Sequence, residues 1–508
     1  VMVFNGEIYN WKKLNNKFNL GAKTDTQALL HGLVKIGPDF LKEVRGQFAF
    51  IAKVNRDGKP KMMIGRDRHG IVPLGYAVDE HGNVGVASTW EALVKAGFPH
   101  DSLRSVPHGT VGEIEGGQVK LTRWSSQPQF EEIEQSNYRP TAGKLRKLIK
   151  RSILEQIPQD PSKFFVAFGG KDSASITTNV AREIKKRARQ KRKKFEFGGA
   201  ITIVPEDDPE GGDLHGVKAT LKQLEHQGIK VKHFVKPLTT EYAEKNTDKI
   251  LNLLGPSYYN LTCALPENLV AETAKENGAK ALMTAGGPDE AFSSYPFVHR
   301  LLKNIKASPR QVRIMFDALN TQFADNECIR AGLVLGEHGL ENRVPYAFLT
   351  HLSRRIPDDL KWAYGEREGG FDTKILFRKA IKGWIPRSLV DAKKDAVRTA
   401  TGTHKVVQRV IERDEYFQKH KNGIINGLLK TDWKMLFNAP ITGIETFEQN
   451  PELMGQAYCL WRWGKNNPKM FKQGAKRFYG GSKYPAPVAP SGKDLTAESK
   501  RFQCTDWQ

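Results

Sequence analysis

The stretch "FFVAFGGKDSASI", Phe164 to Ile176, brings together residue types that can hold a phosphate. An apolar, strand-forming run ends at Phe168, Gly169 and Gly170 let the backbone turn sharply, and Asp172 and Ser173 open what reads as a helix. Backbone N–H groups at such a helix start attract an anion, and the positive end of the helix dipole adds to the pull. Asp172 can hold a magnesium ion that bridges phosphates, and Ser173 can donate its hydroxyl to them. Alone, the stretch fits equally well a plain strand-to-helix turn whose glycines serve packing. A second stretch shifts that balance. In "ALMTAGGPDEAFSSY" an apolar strand ends at Thr284, glycines follow at Gly286 and Gly287, and acids come at Asp289 and Glu290. Two strands ending in glycine-acid loops place both carboxylates in the crevice at the carboxyl edge of a sheet, as a magnesium triphosphate site requires.

The elements that must position these loops have two grammars. Residues 1 to about 125 are strand segments joined by turns: "GQFAFIAKV" and "PKMMIGRD" flank a hairpin turn at Asn55 to Gly58, and "TVGEIEGGQVKLTR" forms a second hairpin about Gly116 and Gly117. One helix fits Asp25 to Ile36, with apolar residues at Leu29, Leu30, Leu33 and Ile36. Residues 126 to 140 are polar, Pro-bearing and without either period, and read as a linker. Beyond Pro140, a helix from Thr141 to Ile157 precedes the buried strand "KFFVAF", and helical and short apolar segments then alternate, which predicts a parallel sheet. From about Asn304 to Trp463 helical patterns dominate, with "RVPYAFLTHLSRRI" and "TKILFRKAIKGWI" the clearest.

Composition bounds the partners. The 508 residues are 39% hydrophobic, enough for two or three domains with ordinary cores. No run reaches the roughly 18 apolar residues that span a bilayer, and the start lacks the segments of a signal peptide, so the expectation is a cytoplasmic protein without a membrane partner. Cys263, Cys328, Cys459 and Cys504 lie far apart without a CxxC pair, which suggests neither a disulfide framework nor a zinc cluster. The net charge of +23 invites a nucleic-acid reading, but much of the excess sits in "KKRARQKRKK", Lys185 to Lys194, and in a Gly/Pro-rich tail from about Asn466. The first run lacks the interleaved aromatics of a single-strand binding face and reads as a solvated helix end, so no nucleic-acid partner is expected.

Beyond these readings, the motifs resemble a known family. "GGKDS" is similar to the SGGxDS pyrophosphatase loop, "GGPDEAFSSY" to GEGxDExFGGY, and "LENRVPY" to ExRxPF, while "FNGEIYN", "GQFAF" and "GRDRHGIVPLGY" resemble a glutaminase domain. In this order, from residue 1 to about 463, they resemble the glutamine-hydrolysing asparagine synthetases. The resemblance implies an α+β N-terminal-nucleophile sandwich over 1–125, incomplete at its start, and the linker 126–140. An α/β ATP pyrophosphatase domain with a helical C-terminal part would follow over 141–465, and a basic tail over 466–508. It implies ATP and magnesium as cofactors, with aspartate and glutamine or ammonia as substrates, and is compatible with a homodimer. In that family one domain frees ammonia from glutamine, and the other adenylates aspartate, releases pyrophosphate and lets ammonia displace AMP.

Carried over residue by residue, the resemblance assigns ATP and pyrophosphate binding to Gly169, Gly170, Asp172, Ser173 and Asp289, with Asp172 and Asp289 on the metal. Lys394, in "DAKKDAV", would neutralise the leaving pyrophosphate and Glu290 would serve the reacting centre. Asn5 and Gly6 match the oxyanion hole, and Glu7 and Asp25 match the acids of the glutamine pocket. The family's nucleophile is a terminal cysteine whose own amine is the base, and this chain has no cysteine before Cys263. The expectation is therefore that about 70 residues of the domain precede Val1, so that "VMVFNGEIYN" is an interior strand and turn. Three departures stand out: Phe168 for the loop's first Ser, Gly286 for a Glu, and "YYNLTCALP" without the usual Thr and Arg of the aspartate pocket. They keep two alternatives open: an amide synthetase or cyclase of the same fold with another carboxylate, and a catalytically silent relative. A third, a tRNA-modifying ATP pyrophosphatase, is suggested by the loop and the basic charge, but the glutaminase motifs argue against it. On the reading of a missing hydroxyl, Phe168→Ser should tighten ATP binding.

Overall fold

A computed structural model describes residues 1–56, 58–125, 140–158, 163–190, 196–295, 299, 308–353, 355–364, 371–392, 396–437 and 444–474. The chain divides into two compact units. One holds the described residues up to Ser125 together with Ala324–Leu333, and the other holds the remainder.

The first unit is built on antiparallel pairing. Strand β1 (Met2–Ile8) is followed by helices α1 (Trp11–Phe18) and α2 (Asp25–Lys35), then by β2 (Gly46–Arg56) and β3 (Lys59–Arg66). A small second sheet takes β4 (Gly75–Val78), β5 (Val84–Ala87) and β6 (Arg104–Ser105), and the hairpin β7 (Thr110–Glu115) and β8 (Gln118–Arg123) completes the first in the order β1-β2-β3-β7-β8. Helix α2 starts where Thr24 accepts a hydrogen bond from the Gln27 N–H at 3.1 Å, with Asp25 complementing the dipole in the first turn. Its apolar face, Leu29 and Leu33, packs on Ile8, Phe40, Phe48 and Phe50.

The motif "GRDRHGIVPLGY" has a structural use inside this unit. Arg66 is fully buried and donates to the carbonyls of Val72 (2.9 Å), Val106 (3.0 Å) and Gly70 (2.6 Å). Asp67, equally buried, accepts from the backbone N–H groups of His69, Ile71, Val72 and Phe48. Burial raises the Asp67 carboxyl above its usual range in spite of these donors and of Arg66. Nearby, burial opposes ionisation of Asp325 as well, but His108 and Arg66 hold its carboxyl below the usual range.

In the second unit, helix Ala142–Glu155 leads to β9 (Lys163–Ala167), helix Lys171–Arg189, β10 (Glu196–Pro205), helix Leu214–His226 and β11 (His233–Leu238). Helices Thr240–Leu254 and Tyr258–Glu276 precede β12 (Ala281–Met283), and β13 (Glu341–Arg343) ends the sheet. All its pairings are parallel, in the order β11-β10-β9-β12-β13. The order turns back between β9 and β12, so a crevice opens at their carboxyl ends. Strand β13 corrects the helical reading of "RVPYAFLTHLSRRI": Arg343 ends a strand beside β12, and the helix is only Phe348–Ser353. A further hairpin, β14 (Trp362–Tyr364) and β15 (Phe371–Thr373), leads into helix Ile375–Ile381. The core gathers Phe164, Val166, Phe168, Ile176, Val180, Phe292, Tyr346 and Phe377. No helix among the described residues is long and apolar enough to cross a membrane.

Candidate functional site

The two glycine-acid loops leave adjacent strands, β9 and β12, and their acids meet at one atom. Lys374 Nζ lies 2.5 Å from Asp172 Oδ2 and 2.7 Å from Asp289 Oδ1. Three segments far apart in sequence thus share one charge cluster at the sheet's carboxyl edge. Lys374 follows β15 directly and takes a left-handed conformation, φ 53°, before helix Ile375–Ile381 begins. Leu376, Phe377 and Ala380 of that helix sit in the core, which fixes the lysine's stem. Its side chain is only 4% exposed. Burial alone would favour the neutral amine, but the two carboxylates outweigh it and raise the ammonium above the ordinary lysine range.

Asp172 is held from below. Its carbonyl lies 3.1 Å from Tyr346 Oη and 2.9 Å from Ser175 Oγ, and the two hydroxyls also bond each other, so one of them donates to the carbonyl and the other to its fellow hydroxyl. Burial raises the Tyr346 phenol, so it stays protonated. That is the use of the tyrosine in "LENRVPY". In the same motif Arg343 pairs with Glu341 at 2.7 Å, and Asn342 accepts from Thr284 Oγ1 at 2.9 Å, joining β13 to the second loop.

The remaining expected residues take different places. Gly169 and Gly170 form the turn ahead of helix Lys171–Arg189, and a Cβ on Gly169 would meet Asp213 Oδ2 at 2.6 Å, so a side chain there would have to push the Asp213 carboxylate aside. Ser173 Oγ is turned inward, accepting from the Gly169 N–H at 2.8 Å and donating to the Gly170 carbonyl at 3.0 Å. Glu290 is buried, with its carboxylate on the Gly287 N–H at 3.1 Å and on Tyr295 Oη, so it caps its own short helix, Pro288–Ala291. Lys394 lies outside the described residues; Ala392, two positions earlier, has its carbonyl held by Lys171 Nζ at 2.6 Å.

In the first unit, Asn5, Gly6 and Glu7 lie consecutively on β1, opposite Ala49, Phe48 and Gln47 of β2. Gly6 has φ 130°, and a Cβ there would come within 2.0 Å of the Gln47 carbonyl, so the position requires glycine. Asp25 accepts from the Ile8 N–H at 3.2 Å and from the Thr26 N–H at 2.7 Å, which places its carboxylate at the end of β1.

The departures look different in three dimensions. The Phe168 ring is 3% exposed, lies in the hydrophobic core and meets the His233 ring edge-on. It is a core residue at the end of β9, and a serine there would leave a cavity. A Cβ on Gly286 would sit 3.0 Å from the Phe323 ring, so a side chain there requires that buried phenyl to give by a few tenths of an ångström.

The chemistry of this site suits a magnesium ion. Asp172 Oδ1 is buried without a hydrogen-bond partner, a hard oxygen beside the lysine-bound one. Magnesium is ordinarily held by one or two carboxylates plus phosphates, so two acids are enough, and no cluster of three acids, histidines or cysteines occurs among the described residues. Sequence reading found both acids but missed Lys374, whose approach depends on the hairpin and on a left-handed backbone that the local pattern "TKILFRKA" does not announce.

Comparison with known proteins gives the following. Residues 1–106 match the family model of the glutamine amidotransferase domain. Asparagine synthetase B (glutamine-hydrolyzing) of Escherichia coli (strain K12) is 24% identical over 409 residues, covering 79% of this chain and 70% of that protein. Asparagine synthetase (glutamine-hydrolyzing) 2 of Oryza sativa subsp. japonica is 25% identical over 417 residues, 79% of this chain and 66% of its own length. Asparagine synthetase (glutamine-hydrolyzing) 1 of Arabidopsis thaliana is 24% identical over 416 residues, with the same two shares. The resemblance read from the motifs is thus borne out at low identity, and the chain spans 66% of the length of these plant relatives. Among solved structures, the U34-tRNA thiolase NcsA from Methanococcus maripaludis aligns at 13% identity with a TM-score of 0.25, over 53% of this chain and 74% of that one.

Proposed function

We propose that this chain carries the ATP-using chemistry of an asparagine synthetase-like amide ligase. In this reading a carboxylate oxygen of aspartate attacks the α-phosphorus of ATP, and the bond to pyrophosphate breaks. Ammonia then attacks the acyl carbon of the aspartyl adenylate, and AMP leaves with the electron pair of the broken bond. The observation that supports it most is the meeting of Asp172 and Asp289 at the switch point of a parallel sheet, beside the glycine turn that opens helix Lys171–Arg189.

The residues take these parts. The N–H groups of the Gly169-Gly170 turn and the helix start would receive the triphosphate, while Ser173, now bonded within the turn, would rotate its hydroxyl outward to reach it. Asp172 and Asp289 would hold magnesium, which when bound would neutralise phosphate charge as pyrophosphate departs. Lys394 would add a positive charge there. Glu290 would act indirectly, by fixing the turn that carries Asp289. The first unit would be part of an N-terminal-nucleophile glutaminase, with Asn5 and Gly6 offering oxyanion donors and Glu7 and Asp25 reading the glutamine amine.

A second reading keeps the ATP chemistry and changes the carboxylate. Gly286 favours it, since the family's Glu is replaced where a phenyl ring closes over the Cβ position. Exchange of labelled pyrophosphate into ATP, driven by aspartate or by other amino-acid carboxylates, tests both. Aspartate-driven exchange in the native chain, lost by about a thousandfold or more in Asp172→Asn and Asp289→Asn, is the expected outcome. Exchange driven by another carboxylate alone would install the second reading. No exchange and no ATP binding would leave a silent relative.

A further inference from the structure

We propose that Lys374 is the built-in cation of the magnesium position: in the nucleotide-free protein its ammonium pairs with both Asp172 and Asp289, and a divalent metal must displace it. The inference rests on the reading of these two acids as metal ligands, and it concerns a residue that this reading did not use.

Two ionised carboxylates on adjacent strand ends would repel one another strongly where water is scarce. The protein contains a cation for them. Lys374 Nζ is within 2.7 Å of an oxygen from each acid, on the line where a shared metal would bind the same two atoms. A magnesium ion sits about 2.1 Å from its oxygen ligands, so it and an ammonium at these distances cannot occupy the space together. The groups facing Lys374 include Asp172 from the first loop and Asp289 from the second, with Ser294 Oγ also on Asp289. The lysine's backbone is pinned by β15 and by the buried helix Ile375–Ile381, so the charge is delivered to one place and not spread over a mobile chain. Its left-handed φ of 53° costs a non-glycine residue energy, which marks the position as built for what its side chain does.

Asp172 keeps an oxygen in reserve. Its second oxygen, Oδ1, is buried and unpartnered while Oδ2 holds the lysine. Once the ammonium moves away, both oxygens would be open to a metal. A free lysine charge would then be released beside the phosphates that arrive with the metal. The free protein should accordingly bind bare divalent metal weakly, and metal carried in with a triphosphate should bind far better, because the nucleotide brings oxygens that the lysine cannot occupy.

Manganese binding to the whole 508-residue chain without nucleotide, followed by electron paramagnetic resonance of the free ion, tests this. Lys374→Met and Lys374→Gln should bind Mn²⁺ tighter than the native chain, on the order of tenfold to a thousandfold, because one positive charge a few ångströms from the metal is removed. Lys374→Arg, which keeps the charge, should stay close to the native affinity. Adding Asp172→Asn to Lys374→Gln should reverse the gain. Circular dichroism melts identify which variants are folded, and Gln, which retains hydrogen bonding to both acids, decides the matter if Met does not fold. Equal or weaker Mn²⁺ affinity in a folded Lys374→Gln overturns the proposal. Failure of pyrophosphate exchange in the native chain would remove the ligase reading alone, and the manganese titration would still decide what Lys374 does.

Discussion

Two buried charge clusters, one in each unit, show how differently a fold can treat an acid beside a base. Around Asp67 every charge is spent on the chain itself: Arg66 bridges three carbonyls, and Asp67 gathers four backbone N–H groups that force residues 66 to 72 into one loop. Around Lys374 the acids come from loops 117 residues apart, Asp172 and Asp289, and one oxygen of Asp172 is left without a partner. The first cluster is closed and holds a shape. The second keeps an unpartnered oxygen in reserve at the edge of a parallel sheet, where ligands enter. A sequence shows both as an acid near glycines; only the count of satisfied atoms separates them.

Removing the base from each cluster should have opposite effects. Arg66→Met would strand Asp67 and free three buried carbonyls, so it should destabilise the first unit by about 3–5 kcal/mol, the usual cost of breaking a buried pair. Chemical denaturation followed by tryptophan fluorescence measures it. Lys374→Gln should behave in the opposite sense, gaining metal affinity while keeping a cooperative melt. Loss of less than about 1 kcal/mol in Arg66→Met would mean that the closed cluster is no more structural than the open one.

Next in size is Phe168. The expectation from the loop motif was that serine there would tighten nucleotide binding, but the ring is in the core beside Ile176 and His233. Phe168→Ser should instead cost about 3–5 kcal/mol of stability in the second unit, whereas Phe168→Leu should cost roughly 1–1.5 kcal/mol. Thermal melts of the two variants in parallel measure the difference, and a serine variant as stable as leucine would return Phe168 to the phosphate loop.

Much of this was legible beforehand for physical reasons. Gly169, Gly170 and Asp172 are local signals, because a strand, a turn and a helix start follow each other within a few residues, and the same holds for Gly287 and Asp289. Parallel strands such as β9 announce themselves by unbroken apolar runs. What escaped was decided by tertiary contact. Strand β13 is three residues long and precedes apolar residues at helical spacing, so its pairing with β12 cannot be seen locally. Glu290 has its carboxylate on the Gly287 N–H, a contact within its own turn that the motif does not announce. Lys374 approaches Asp172 across 202 residues of chain, and no periodicity carries that distance.

The smallest effect tests the edge of the open cluster's support. His233, on β11, has its ring against Phe168 and Nε2 2.9 Å from Thr202 Oγ1, the hydroxyl that also donates to the Phe168 carbonyl at 2.7 Å. Burial lowers the pKa of His233 below that of a free histidine, with the nearby Lys218 charge adding to the shift. Since the folded state holds this proton less tightly than the unfolded chain, its contribution is fully present above the unfolded value of about 6.5 and is lost as pH falls through that value toward the folded one. The melting temperature of the native chain should therefore drop between about pH 7 and pH 5 by more than that of His233→Asn, which has no charge to gain. Parallel slopes for the two proteins over that interval would show that the histidine titrates equally in both states, and that the end of β9 does not sense its charge.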